Sequence, residues 1–241
     1  MRKLLAIIMF CFLLVAIGYG EVRREPISKM QIRENLAYID NEQNPYTGVI
    51  FAHYPNDQLK SEETFRVGKQ DGIFKEWYEN GQLKFVATYK NGKLDGVAKE
   101  WRVNGQIKTE VTFKDNNLDG IIKNWAENGQ LILEGNNKDD KLDGDAKVWH
   151  ENGRLKAELT FKAGEPDGFA KEWYENGQLK TEVTFKDGKL DGVVKEWYEN
   201  GQPKAEGSRK DDKLDGVFKI WRENGQIKEA GIFKTGIRIK E

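Results

Sequence analysis

The sequence has almost none of the residues that nucleophilic and metal catalysis require. Of 241 residues, one is cysteine (Cys11) and two are histidine (His53 and His150). No cluster of cysteine or acidic residues stands at the spacing of a metal site, so zinc chemistry and covalent catalysis lack their usual groups. The mature chain would also lack disulfides, because Cys11 lies in the predicted leader. We therefore expect a non-enzymatic protein without cofactor or metal.

The sequence also lacks an excess of either charge. Its 39 basic and 40 acidic residues nearly cancel, and lysine alternates with glutamate along the chain. Binding to nucleic acid requires clustered positive charge to neutralise phosphates. The balance therefore argues against a nucleic-acid partner.

What the sequence has in abundance is a strict period of 24 residues. All seven tryptophans follow it: Trp77, Trp101, Trp125, Trp149, Trp173, Trp197 and Trp221. Asp-Gly pairs from Asp71-Gly72 to Asp215-Gly216 and Asn-Gly pairs from Asn80-Gly81 to Asn224-Gly225 share the spacing. A constant period without insertions is typical of a repeat architecture, in which one small unit stacks on copies of itself.

Each unit has two runs rich in β-branched and aromatic residues, separated by Glu-Asn-Gly-Gln. Asn-Gly between such runs predicts a β-hairpin with a two-residue type I′ turn, here at Asn176-Gly177. On that register Tyr174 faces Leu179 and Trp173 faces Lys180. The same count predicts opposite charges directly across the strands, in the pairs Lys99–Glu110, Lys123–Glu134, Lys147–Glu158, Lys171–Glu182 and Lys195–Glu206, lapsing at Lys75–Val86 and Lys219–Ala230.

The predicted register divides each hairpin into two faces. One face is an apolar stripe interrupted by Glu172, formed in the sixth unit by Ala170, Tyr174, Leu179, Val183 and Phe185. The other face carries tryptophan beside lysine and glutamate. Packing on the sheet surface is the simplest interpretation of the tryptophans. The alternative is an aromatic row that binds a ligand or sugar, which makes the candidate binding residues Trp77, Trp101, Trp125, Trp149, Trp173, Trp197 and Trp221.

The predicted fold is all-β: an elongated, single-layer, meandering antiparallel sheet of about eight hairpin repeats. Residues 47–241 form the array, with units starting at 47, 71, 95, 119, 143, 167, 191 and 215. The first unit is a worn copy, with Thr47-Gly48 in the Asp-Gly place and His53 in the tryptophan place. Residues 21–46 are expected to be a tether followed by a capping strand near Leu36 to Ile39.

Residues 1–20 have the pattern of a secretory signal peptide. Arg2 and Lys3 precede an apolar run from Leu4 to Ile17, and small residues follow at Gly18 and Gly20. The run is shorter than the roughly 20 residues that span a bilayer, so cleavage near Gly20 is favoured over a retained anchor. We therefore expect export to the periplasm, the cell surface or the medium.

The fourth and seventh units depart from the pattern together. Each loses the phenylalanine at the end of its second strand, and a local acidic group follows: Asp139, Asp140 and Asp143, or Asp211, Asp212 and Asp215. Drift of a duplicated three-unit block explains this. Calcium binding by the carboxylates is the alternative, but the residues expected of a calcium loop are missing at Lys141 and Lys213.

The alternation of Asp-Gly, Lys-Glu-Trp-Tyr, Glu-Asn-Gly-Gln-Leu-Lys and Phe-Lys-Asp-Gly-Lys-Leu resembles the bacterial variant of the MORN repeat, over roughly residues 36–236. The opening Tyr38 and Pro45-Tyr46-Thr47-Gly48 resemble the first unit of that family. The resemblance extends to YwqK-like antitoxins of toxin–antitoxin pairs. It implies a non-enzymatic binding protein, although a cytosolic antitoxin would need no leader.

The resulting functional hypothesis is an exported scaffold that binds a protein, such as a toxin or an envelope protein, in an antitoxin-like or immunity-like role. The alternatives are binding to a membrane surface, or to surface glycans in adhesion. Membrane binding is disfavoured because glutamate accompanies nearly every lysine, which limits attraction to anionic lipid. The apolar stripe also needs a cover, and a second copy docked there as a homodimer would provide one.

Overall fold

The computed structural model describes residues 22–240, so the predicted leader at residues 1–20 lies outside it. These residues form 23 β-strands and one 3-10 helix, with no α-helix in the described range. None of the described helices is long and apolar enough to cross a membrane.

Four short elements precede the repeats: β1 (Arg24–Pro26), the 3-10 helix (Ile27–Lys29), β2 (Met30–Arg33) and β3 (Leu36–Ile39). The remaining strands are β4 (Gly48–His53), β5 (Leu59–Arg66), β6 (Lys69–Trp77), β7 (Leu83–Lys90), β8 (Lys93–Leu94), β9 (Gly96–Trp101), β10 (Ile107–Lys114), β11 (Asn117–Trp125), β12 (Leu131–Lys138), β13 (Lys141–Leu142), β14 (Gly144–Trp149), β15 (Leu155–Lys162), β16 (Glu165–Trp173), β17 (Leu179–Lys186), β18 (Lys189–Leu190), β19 (Gly192–Trp197), β20 (Pro203–Lys210), β21 (Lys213–Trp221), β22 (Ile227–Lys234) and β23 (Ile237–Lys240).

From β4 to β23, the chain forms an antiparallel meander within one sheet, which has 21 strands when β1 is included. The two-residue strands β8, β13 and β18 are the first parts of strands that resume one residue later as β9, β14 and β19. β1 adds to the first edge, parallel to β4, and β2 and β3 form a separate hairpin. The predicted meandering sheet of hairpin repeats is confirmed.

The Asn-Gly loop differs from the predicted two-residue type I′ turn. The amide of Tyr174 donates to the carbonyl of Gln178 at 2.9 Å, and the amide of Gly177 donates to the carbonyl of Tyr174 at 2.9 Å. Within this loop only Gly177 has positive φ, at 90°. This is a three-residue loop, a type I turn closed by a left-handed glycine. Asn176 stabilises the loop through its side-chain oxygen, which accepts the amide hydrogen of Gln178 at 2.8 Å.

A β-bulge beside this loop restores the predicted register. Trp173 pairs with Leu179, whereas Glu172 pairs with Thr181, so Lys180 is the extra residue. Trp173 therefore does not face Lys180, and Tyr174 does not face Leu179, as the two-residue loop predicted. The additional loop residue and the additional strand residue compensate, and Lys171 still pairs with Glu182.

The type I′ turn lies at the other end of the unit. Lys186 pairs with Lys189, and between them Asp187 and Gly188 have φ of 47° and 77°. Positive φ at both central residues defines this turn. The amide of Gly188 also donates to the carbonyl of Pro166 in the preceding unit at 2.9 Å, so each turn is hydrogen-bonded to the strand that begins after the preceding turn.

The glycine of the Asp-Gly pair marks a second irregularity of the ladder. Between the pairs Phe161–Pro166 and Leu159–Ala170, the single residue Thr160 faces Asp167, Gly168 and Phe169. Gly168 has φ of 119°, and a Cβ on it would lie 3.2 Å from the Cβ of Thr160. A side chain here would strain the backbone and would press against Thr160.

The predicted charge pairs are confirmed by the register. The predicted glutamate lies directly across from each of the five lysines: Lys99, Lys123, Lys147, Lys171 and Lys195. Each of these glutamates also pairs with the lysine of the following unit. The pairs thus join into one row of alternating charge across the sheet. The predicted lapses at Lys75–Val86 and Lys219–Ala230 are also present.

The first edge of the array is closed by a small buried core, which consists of Ala37, Ile39, Tyr46, Ile50 and Phe65. The side chains of Tyr46 and Ile50 are only 1% exposed. The hydroxyl of Tyr46 lies 3.1 Å from the carbonyl oxygens of Arg23 and Val49, and burial raises its pKa. Residues 24–39, which include the segment expected to be a tether, are thus folded over the end of the sheet.

A ladder of side-chain hydrogen bonds also links successive units. The hydroxyls of Tyr54, Tyr78, Tyr174 and Tyr198 each donate to the carbonyl of the tryptophan 23 residues later, at 2.7 to 2.8 Å. In the third unit the guanidinium of Arg102 takes this place at 2.7 Å. In the fifth unit His150 does so through Nε2 at 3.0 Å. In the fourth unit the place belongs to Ala126, which has no donor.

This ladder predicts opposite results at two equivalent positions. Tyr174→Phe removes one hydrogen bond and should lower the free energy of unfolding by about 1 kcal/mol. Ala126→Tyr supplies the hydroxyl that the fourth unit lacks and should raise it by a similar amount. Urea unfolding followed by tryptophan fluorescence measures both changes.

The control is Tyr38→Phe, which removes a hydroxyl from outside the ladder. A Tyr174→Phe variant as stable as the native chain, or an Ala126→Tyr variant that is destabilised, would show that the ladder does not couple neighbouring units.

Candidate binding surface

The register assigns three parallel rows to one side of the sheet, which we call the tryptophan face. In the sixth unit the rows are represented by the pairs Phe169–Thr184, Lys171–Glu182 and Trp173–Leu179. Paired residues lie on the same face, and residues two apart along a strand do so as well. The rows are therefore apolar with threonine, charged, and aromatic with leucine.

The structure brings the seven candidate tryptophans together in the third row. Each ends the first strand of its hairpin and pairs with the residue six positions later, for example Trp125 with Leu131 and Trp221 with Ile227. All seven are half-buried. Each indole is thus partly packed on the sheet and partly accessible, which is compatible with both interpretations of this row.

Leu179 belongs to this row and was assigned to the wrong face. The two-residue loop predicted that it joins the apolar stripe, but it pairs with Trp173. Leu155 and Leu83 occupy the same position beside Trp149 and Trp77. The three-residue loop is one residue longer than predicted, so each of these leucines lies one pairing position away from its predicted place. Each one therefore packs beside an indole ring.

Six exposed apolar residues of the repeats form a row that sequence reasoning missed. Each follows the glycine of an Asp-Gly pair, in six of the seven pairs, and their exposed fractions are 40 to 64%. They are Ile73, Val97, Ile121, Phe169, Val193 and Val217. Phe169 is the most exposed of them, at 64%. In the sequence, this row is visible as an apolar residue that recurs at the 24-residue period directly after a glycine.

Asp145 occupies the equivalent position in the fifth unit. It accepts a hydrogen bond from the hydroxyl of Thr160, its cross-strand partner, at 2.8 Å. An acid is therefore accommodated in this row without a change of strand register. The fold therefore does not require an apolar residue at this position.

The charged row between these two is close to neutral. Nζ of Lys99 lies 2.8 Å from Glu110, and the corresponding distances are 3.2 Å at Lys147–Glu158 and 3.6 Å at Lys123–Glu134. Such exposed pairs each contribute little to stability. Their main effect is on recognition, since the face presents both signs in alternation and no continuous positive strip.

The opposite side, the tyrosine face, is represented in the sixth unit by Ala170, Glu172, Tyr174, Val183 and Phe185. Its centre is tightly covered in places: Ala87 is fully buried, and its cross-strand partner Phe74 packs against Phe85 and Tyr89 at centroid distances of 5.9 and 6.4 Å. Large rings thus cover small residues in a sheet that has no second layer among the described residues.

Ion pairs cross the middle of the tyrosine face. Lys84, Lys108 and Lys180 lie 2.8 Å from Glu76, Glu100 and Glu172, respectively. The hydrogen bond to Glu76 raises the pKa of Lys84. In these three units the bulge residue at the Asn-Gly hairpin thus neutralises the glutamate that interrupts the apolar stripe.

The acidic residues considered as calcium ligands are committed to turns. Asp140 and Asp212 have positive φ, and their carboxylates accept the amide hydrogens of Leu118 and Leu190 at 2.7 and 2.9 Å. No group of three or more histidine, cysteine or acidic residues within residues 22–240 is arranged to hold a metal. The calcium interpretation therefore loses its geometric basis.

The arrangement can bind through shape, apolar contact and paired charges, over many equivalent positions at once. Weak contacts repeated along a rigid surface add up when the partner is also extended or multivalent. The described surface therefore suits recognition of a large partner.

Comparison with protein families supports this interpretation. The model of the MORN repeat variant matches residues 70–91, 94–115, 142–163, 166–187, 190–211 and 214–235, more than half of the chain. The segment 118–139, which contains Ala126 and the altered end of the fourth unit, separates the matches, although β11 and β12 form a regular hairpin there. A search of curated proteins finds no match. MORN repeats are generally protein-binding or lipid-binding modules, and the family is non-catalytic. The chain belongs to the MORN repeat variant family.

Proposed function

We propose that this chain is a scaffold that binds a protein partner through its tryptophan face. The observation that carries the proposal is the row of six exposed apolar residues from Ile73 to Val217, which lies beside the charged row and is interrupted at Asp145. Contiguous exposed apolar surface rimmed by polar residues is characteristic of interaction sites.

The charge pattern favours a protein over the other partners. A row that alternates lysine and glutamate complements a surface that carries both signs, as protein surfaces do. An anionic membrane or a nucleic acid would meet as many repelling carboxylates as attracting amines. The tryptophans contribute rigid aromatic area beside this row, in the manner of residues that dominate protein interfaces.

An immunity-like role in the cell envelope is the finer part of the proposal. It is supported by the leader pattern at residues 1–20 and by the resemblance to antitoxin-type repeat proteins. The partner would then be an exported toxin or an envelope protein.

Export has a direct test. The intact mass of the chain recovered from the envelope or medium should correspond to cleavage after Gly18 or Gly20. Recovery of the full-length mass from the cytosol would contradict export, and the full-length mass in the membrane fraction would indicate a retained anchor.

The binding surface can be tested with a variant that copies the fifth unit. Since Asp145 is native in the exposed row, the triple change Ile121→Asp, Phe169→Asp and Val193→Asp should preserve the fold and remove three of the six apolar residues of the row, at its centre. The control adds the same three charges on exposed loops, through Val103→Asp, Gln178→Asp and Gln202→Asp.

Both variants and the native chain serve as bait for crosslinking in cells, and each is also mixed with anionic vesicles for flotation. We expect one stoichiometric protein partner that the native chain and the loop variant retain and the triple variant loses, with no flotation. Retention of the partner by the triple variant would contradict the assignment of this face. Flotation that depends on the apolar row would instead support the lipid-binding alternative.

A further inference from the structure

We propose that the tyrosine face of the seventh unit contains a binding site for a small carboxylic acid with an apolar body. A cavity of about 330 Å³ lies there, between β19, β20 and β21. This volume is within the range of small-molecule sites. The site is on the face opposite the proposed protein-binding surface, and the inference does not depend on that proposal.

The cavity coincides with two departures from the repeat. Val183 and Phe185 of the sixth unit are replaced 24 residues later by Gly207 and Arg209. Gly207 pairs with Val194 on one side and with Phe218 on the other. A Cβ on Gly207 would lie 2.7 Å from Cδ2 of Phe218, so the ring extends over the place that a valine side chain takes in the sixth unit.

Most of the cavity wall is apolar. Aliphatic and aromatic surface comes from Val194, Leu214, Phe218 and Ile220, and Ala205 adds only a methyl group. A hydrocarbon body of modest size would lose contact with water here, which is favourable in proportion to the apolar area that is buried.

Arg209 places an unsatisfied cationic donor in this wall. Its Nη1 donates to the carbonyl of Asp212 at 2.7 Å, whereas its Nε is buried and has no hydrogen-bond partner within residues 22–240. A buried donor without a partner is costly, and more so when it is charged. A guanidinium binds a carboxylate by donating charge-assisted hydrogen bonds to it.

The other charged residues that line the cavity balance one another in sign, so Arg209 is the group that would bind the carboxylate. Glu196, the carboxylate on the cavity side of β19, is held by Nζ of Lys204 at 2.9 Å. Lys228 and Glu206 also line the cavity and are of opposite charge. The local balance therefore favours an anion beside Arg209 over a cation.

The fourth unit provides an internal comparison. Gly135 is the equivalent of Gly207, but Asn137 stands in place of Arg209 and Ala146 stands in place of Phe218. A carboxylate would find no guanidinium there. The proposed site is thus specific to one unit of an otherwise repeating face.

The experiment titrates octanoate into the full chain and follows the backbone amide of Gly207 and the methyl groups of Val194 and Leu214 by NMR. Octanol and octylamine, which share the hydrocarbon body, are titrated in parallel. We expect saturable shifts with octanoate and affinity that is about tenfold or more weaker for octanol, because one charge-assisted hydrogen bond is lost. Octylamine should bind no better than octanol.

Arg209→Phe restores the residue that the sixth unit has at this position and should weaken octanoate binding about tenfold or more, because the guanidinium is removed. The matched control is Arg222→Gln, which removes an arginine from an exposed loop outside the cavity and should change nothing.

Three results would overturn the proposal: no saturable shift at Gly207, equal affinity for octanoate and octanol, or unchanged octanoate binding in Arg209→Phe. The comparison of octanoate with octanol uses the unaltered chain, so it remains decisive if a variant fails to fold.

Discussion

Main-chain hydrogen bonding between consecutive hairpins is the interaction on which the rest of this structure depends. A single-layer sheet has no opposing layer to bury its side chains, so each strand gains order mainly from the strand on either side. This requires every unit to present the same register to the next. Hydrogen bonds at both ends of the hairpins depend on the same register. At one end the hydroxyl of Tyr174 donates to the carbonyl of Trp197, and at the other the amide of Gly188 donates to the carbonyl of Pro166.

The sequence was sufficient to predict the hairpin repeat and the row of alternating charge, because Lys171 and Glu182 report the register in the middle of the strands, where the ladder is regular. It was insufficient near the loops. Asn-Gly favours a type I′ turn in isolation, but Asn176 also accepts the Gln178 amide hydrogen, and the longer loop with a bulge at Lys180 preserves the same register. The error moved Leu179 to the wrong face. Phe169 and its equivalents were missed because three residues face Thr160 at the Asp-Gly irregularity, where simple alternation stops.

Repetition also explains how the two faces can serve different purposes. A substitution in one unit is tolerated when the backbone contacts of that unit remain, as Asp145 in the exposed row illustrates. The tryptophan face keeps its three rows across the array, which suits a large partner. The tyrosine face varies more, and at Gly207, Arg209 and Phe218 the variation produces a local cavity. The first edge of the array, where no repeat precedes β4, is closed by the core around Tyr46 and Ile50.

The proposed recognition surface requires hairpins that stack in one open sheet with a constant spacing. Pairs of spin labels at the exposed loop positions Glu79, Glu127, Glu151 and Glu199, in a chain with Cys11→Ser, measure this spacing directly, because no other cysteine is present. With two strands per unit, the distance from Glu79 should increase at every step, by roughly 10 Å per unit before sheet twist shortens it. Distances that stop increasing or decrease along the series would contradict an open stack of repeats.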